Sequence, residues 1–158
     1  MILSVHFLFG AAVGGALNNP TLGLPIALAS HYMLDSLPHR EYSIDNVENI
    51  SVVGWHKAVI DLFKVAFDFF AGLVVLILLL PSSASLPWLM LFGFLACVPD
   101  GLSFLHFLTK KNNLLTKHLN FHKRIHIHQI KEETSWGFGI IFQVLAVISS
   151  VVFLLSLS

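Results

Sequence analysis

Within nine residues, His31-Tyr32-Met33-Leu34-Asp35-Ser36-Leu37-Pro38-His39, two imidazoles and a carboxylate close an otherwise apolar run. On a helix His31 and Asp35 stand four apart and share a face, while Pro38 stops the helix and leaves His39 just beyond it, the least tied of the three. Neutral imidazole nitrogens and carboxylate oxygens together suit zinc, and after it manganese or iron(II), better than calcium or magnesium. No thiolate accompanies them, so an open hydrolytic site fits the set better than a closed structural zinc. Further ligand candidates are His6, Asp68 and Asp100, each in an apolar run, and His118, His122 and His126, whose spacing of four places them on one helical face. Asp68 and His122 are also candidates for acid/base work. Lys64, Lys123 and Arg124 are the cations available to hold a phosphate.

Each of these residues has a plainer reading. His31 with Asp35 can be a hydrogen-bonded structural pair, His6 a core or interfacial histidine, and Asp61, Lys64 and Asp68 an intrahelical ion-pair network. Lys110, Lys117, Arg124 and Lys131 recur every seven residues, a stripe that drifts only about 20° per step on a helix. Beside Leu114, Leu115, Leu119, Phe121 and Ile125, that stripe also fits an amphipathic helix resting on anionic lipid.

The elements that must position these groups are apolar. The 158 residues are 56% hydrophobic and 11% charged, against roughly 25% charged in an ordinary soluble domain. One all-α membrane domain over 1–158 is therefore expected, with five transmembrane helices at about 2–17, 21–37, 58–80, 86–108 and 136–157 forming a bundle. The first is short for a span, and its Gly10 and Gly14 are a small-xxx-small pair that lets another helix approach closely. No basic region precedes it, so it reads as a retained segment rather than a signal peptide. Residues 38–57 and 109–135 are polar, the second being a His/Lys-rich helical loop. The net charge of zero with neutral histidines gives no case for nucleic acid. Cys97 stands alone and excludes an internal disulfide.

Threaded as five spans, the chain places every loop Lys and Arg on one side, which the positive-inside bias makes cytoplasmic. The same threading turns His6, His31, Asp35, Asp61, Asp68, Asp100 and His106 towards that side. Each aspartate inside a span costs roughly 2.5–3.5 kcal/mol, and Lys64 offsets only one of four. One or two divalent cations compensate the rest. The expectation is a metal-dependent hydrolase of a prokaryotic inner or plasma membrane. Its partner is membrane lipid, and its substrate a phosphoester of a lipid or lipid-linked molecule. Two rival readings are a divalent-metal-binding or transporting membrane protein, since intramembrane His and Asp also mark ion pathways, and a haem-binding membrane protein using paired histidines. A third is an inactive scaffold that keeps the fold. Residues 69–80, 86–96 and 137–157 hold almost no polar side chains, which argues against a transport route through both leaflets.

Four pieces of the chain carry a family resemblance: Val5-His6-Phe7-Leu8-Phe9-Gly10, Ser30-His31-Tyr32-Met33-Leu34-Asp35, Val98-Pro99-Asp100 and His122-Lys123-Arg124-Ile125-His126. They resemble motifs of membrane-bound metal-dependent hydrolases, the group of the LexA-binding, inner-membrane-associated hydrolases. That group is similar in its His-xxx-Asp helical motif to zinc-dependent phospholipases C. The resemblance implies metal ligands at His6, His31, Asp35 and Asp100, with His122 and His126 in a segment like the family's His-Arg-Gly-x-x-His motif. Here the His-xxx-Asp piece precedes Pro-Asp, and the basic motif lacks its glycine.

Overall fold

The computed structural model describes residues 1–17, 19–80, 82, 84–109, 112–126 and 136–157. Among them the chain is all-α, with eight helices: α1 (Leu3–Ala16), α2 (Pro20–Asp35), α3 (Asp45–Glu48), α4 (Ile50–Val53), α5 (Trp55–Leu78), α6 (Leu86–Thr109), α7 (Asn113–Ile125) and α8 (Trp136–Ser156). Lys110, Lys111, His128 and Lys131 lie outside the described residues, so the basic stripe is observed only at Lys117 and Arg124.

The expected bundle of five spans is not what forms. Two helices among the described residues are long and apolar enough to cross a membrane by length and composition, Leu86–Thr109 and Gly137–Ser156. The other three expected spans fail for separate reasons. Helix α1 has 14 residues and α2 has 16, reaching about 21 and 24 Å against a hydrocarbon core of about 30 Å. Helix α5 is long, but it starts at Trp55 and carries Lys57, Asp61, Lys64 and Asp68, so no 18-residue stretch of it escapes the last three. The segment between α2 and α5 is not a plain loop either, since it holds α3 and α4. Gly54, with φ of 80°, turns the chain from α4 into α5 in a region that side chains other than glycine rarely adopt.

Helix α1 is the central element, packed on α2, α5, α6 and α8. Its glycines permit this. A Cβ on Gly10 would lie 2.3 Å from the Cβ of Ala96, and one on Gly93 would lie 2.7 Å from the ring of Phe7, so α1 and α6 meet almost backbone to backbone. Phe7, Leu8, Ala11, Ala12, Leu76, Leu89 and Leu154 fill the largest core cluster, each large side chain contributing roughly 1.5–3 kcal/mol by its burial. Phe7 meets Phe69 and Phe94 edge-on at 5.1 and 5.8 Å between ring centres. Two helices start on asparagine caps. Asn19 caps α2 through Thr21 N at 3.0 Å, with Pro20 in the first turn, and Asn112 caps α7 through Leu114 N at 2.8 Å.

Candidate metal centre

Asp35, at the last turn of α2, is the point on which four elements converge. Its carboxylate is almost wholly buried, and its two oxygens face different groups. Oδ2 lies 2.9 Å from Nε2 of His31, 2.9 Å from Nε2 of His122 and 3.2 Å from Nε2 of His126. Oδ1 lies 3.1 Å from Nε2 of His6, 3.8 Å from Nε2 of His39 and 2.8 Å from the amino group of Met1. Glu41 joins the second side, 2.9 Å from His39 Nε2 and in contact with the Met1 amino group. Asp100, on α6, stands 3.8 Å from Nε2 of both His31 and His122. Among the described residues two groups of potential ligand atoms result, sharing Asp35: His31, Asp35, Asp100 and His122, and Asp35, His39, Glu41 and His126.

The outer contacts of the histidines decide which nitrogen each presents. Nδ1 of His31 donates to the Ala96 carbonyl at 2.8 Å, in the α6 turn where Pro99 interrupts the backbone ladder. Nδ1 of His39 donates to the Leu37 carbonyl at 2.7 Å. Nδ1 of His122 lies 3.0 Å from Ser103 Oγ. That hydroxyl spends its proton on the Pro99 carbonyl at 3.1 Å, so it accepts from His122. In their neutral form His31 and His122 therefore turn a bare Nε2 lone pair inward, whereas Nε2 of His39 donates to Glu41 at 2.9 Å.

Nε2 of His31 and of His122 are 3.0 Å apart, and those of His122 and His126 are 3.2 Å apart. Lone pairs at this separation around a carboxylate oxygen repel, and either a proton or a cation among them relieves the repulsion. Bonds of about 2.0–2.1 Å to a zinc-like ion put neighbouring ligand atoms about 2.9–3.4 Å apart at angles from right-angled to tetrahedral. The observed separations fall in that range. His6 is fully buried and stacks on His31 at 4.1 Å between ring centres, with no hydrogen-bond partner for its Nδ1 among the described residues.

Around the centre the electrostatics are uneven. Burial by itself raises the pKa of Glu41, but the hydrogen bond to His39 and the Met1 amino group outweigh it and hold the carboxyl well below its usual range. Burial and the neighbouring His122 push His118 down. His118 approaches Tyr32 Oη at 3.3 Å and stands beside His122 rather than on Asp35. A cleft of about 350 Å³ opens on the centre, lined on its polar side by Glu41, Glu48, Asp100, His122, Lys123 and His126, and on its apolar side by Ile44, Phe107 and Leu119.

The remaining sequence candidates lie elsewhere. Asp68 accepts from Ser4 N at 3.1 Å, from the Ser4 hydroxyl and from Tyr42 Oη at 3.3 Å, tying α5 to α1. Asp61 accepts from Asn46 N at 2.9 Å and is paired with Lys64 at 2.8 Å, which also bonds the Ser43 carbonyl, so this pair fastens α3 to α5. Arg124 is exposed, and of the three candidate phosphate-binding cations only Lys123 lines the cleft. Sequence reasoning passed over Glu41 and Ser103. Ser103 follows Asp100 by three on α6, a spacing that shares a face and could have flagged it. Glu41 lies in a loop with no period to reveal it.

No family model, curated protein or solved structure matches the chain. What is present is a buried His/Asp and His/Glu cluster of metal-binding composition, with no specific hydrolase family behind it.

Proposed function

We propose that this chain is a divalent-metal-binding protein associated with a membrane, its ion held by His31, Asp35, His122 and His126 with Asp100 beside them. One observation carries the reading. Two of these histidines, His31 and His122, commit Nδ1–H to an oxygen and bring bare Nε2 atoms to 3.0 Å of each other, an arrangement that a bound cation stabilises. Zinc is the first choice by ligand type, with manganese and iron(II) next. Haem ligation is disfavoured by the same geometry, because convergent nitrogens this close leave no slot for a flat macrocycle between them. Membrane association is supported by the two long apolar helices, whose apolar stretches are only 33% and 22% buried, unlike the core helices of a water-soluble protein.

A second reading, hydrolysis of a phosphoester, is favoured by the cleft. It reaches the centre from one side, at Asp100, His122 and His126, and places Lys123 at its rim. An ion bound there would polarise a phosphoryl oxygen and acidify water. Lys123 would hold the substrate phosphate, and Ile44, Phe107 and Leu119 would face the apolar part of a lipid or lipid-linked substrate.

Elemental analysis of purified protein tests the first reading. It predicts a stoichiometric transition metal in the native chain and its loss in His31→Ala and Asp35→Ala; no metal in the native chain, or content unchanged in both variants, contradicts it. Release of phosphate ester products from mixed phospholipid vesicles by the metal-loaded protein tests the second. Metal uptake into sealed vesicles, without such release, would favour transport instead.

A further inference from the structure

Helix α7 has two working faces, and only one belongs to the metal centre. Its inward face carries Leu119 and His122, both buried, with His118 half-buried beside them. Its outward face carries Leu114, Lys117, Phe121 and Arg124, all exposed, with Leu114 at 74% and Phe121 at 53%. Spaced by three, four and three, these four residues fall within an arc of about 80° on a helix. Two large apolar side chains thus alternate along one line with two cations. The helix contains no acidic residue. Apart from an edge-on contact of Phe121 with Tyr32 of α2 at 5.4 Å between ring centres, the described structure leaves this line open, and α6, whose exposed Leu105 and Leu108 lie just before it, delivers α7 at the end of a membrane-length apolar helix.

We infer that this outward line is a docking surface for an anionic lipid headgroup layer. Leu114 and Phe121 insert between headgroups while Lys117 and Arg124 pair with lipid phosphates. The charge pattern selects this occupant. A protein partner would ordinarily be met by a continuous apolar patch with charge at its rim, whereas here cation and hydrophobe alternate, as at a bilayer surface. The consequence for the centre is geometric. The helix that lies on lipid is the one that supplies His122 and leads into His126, so the cleft opens beside the bilayer surface. The inference rests on the membrane association proposed above and is independent of the metal.

The test uses the full chain in nanodiscs of equimolar phosphatidylglycerol and phosphatidylcholine, with the photocrosslinker p-benzoylphenylalanine placed at Phe121 in one protein and at Ile148 of α8 in another. Adducts are identified by mass. Docking predicts lipid adducts at 121 enriched in phosphatidylglycerol, by about fivefold for each basic residue in contact. The enrichment should disappear in Lys117→Gln/Arg124→Gln and in high salt. Adducts at 148 without lipid adducts at 121 overturn the docking surface and leave membrane association standing, while their absence at both positions overturns both. Chain-to-chain adducts at 121 would assign the face to a second copy and overturn the lipid reading, as would lipid adducts indifferent to headgroup charge.

Discussion

Ser103 controls the centre without touching Asp35. Its hydroxyl donates to Pro99 and receives Nδ1–H of His122, which holds that imidazole in the tautomer with Nε2 free. Outer partners of this kind are worth about 10–100-fold in metal affinity. Ser103→Ala is therefore expected to weaken cobalt(II) binding by that factor in an optical titration while leaving the helical content unchanged; equal affinity would remove Ser103 from the account. Asp68 gives the opposite expectation. Held by Ser4 and Tyr42, it ties two helices, so Asp68→Asn should cost about 1–3 kcal/mol in denaturant unfolding and leave metal content intact. Loss of metal in that variant would return it to the ligand set. Protons compete for the same nitrogens. Burial pulls the pKa of His126 down, but its hydrogen bond to Asp35 and the charges of Asp35 and Glu41 outweigh burial, and the net shift is upward. A cation must displace that proton, so affinity should rise with pH through the histidine range and fall in acid. Dialysis at about pH 5.5 and about pH 8 reads this directly, and retention independent of pH would contradict it.

At the scale of elements, the centre depends on how closely α1 and α6 approach. Gly10 lies where a side chain would strike Ala96, whose carbonyl orients His31. Gly10→Val is expected to lower stability by about 1–3 kcal/mol through overpacking and to weaken metal binding with it. A variant that loses stability but keeps full affinity would uncouple the helix crossing from the site. The glycine pair was legible in the sequence because small residues four apart on an apolar helix have few other uses. His31 and Asp35 were legible for a similar reason, four apart on a helix that a proline stops. The partners of Asp35 were less so. His126 lies just past the end of α7 and His39 in an irregular segment, so their approach depends on loop paths that carry no period. Lys64 and Asp68 share a face of α5, as their spacing requires, yet that face is spent on Ser43, Ser4 and Tyr42. Helical periodicity identifies the face and leaves its neighbour open.

Across the whole molecule, a low share of charge and five apolar runs predict five spans, and the described residues supply two helices that qualify. Composition averages over the chain, whereas a span needs length and an uninterrupted apolar stretch in the same helix. Helices α1 and α2 lack the length, and α5 lacks the interruption-free stretch. Among the described residues two helices meet both conditions, and the exposed Phe138, Ile141, Val144, Ile148 and Val152 of α8 form an apolar surface of the sort that a bilayer covers. The protein is therefore expected in the membrane fraction, resistant to high-salt washing; recovery in the soluble fraction would contradict that assignment. The central claim is that imidazoles from two helices and the residue following one of them, with the Asp35 carboxylate, surround one cation. X-ray absorption of the zinc-loaded protein tests it most directly. Expected are nitrogen and oxygen neighbours at about 2.0–2.1 Å, outer-shell scattering from about three imidazoles and no sulphur, with the imidazole signal reduced in His122→Ala. Zinc lacking imidazole scattering, or a spectrum unchanged by that substitution, would contradict it.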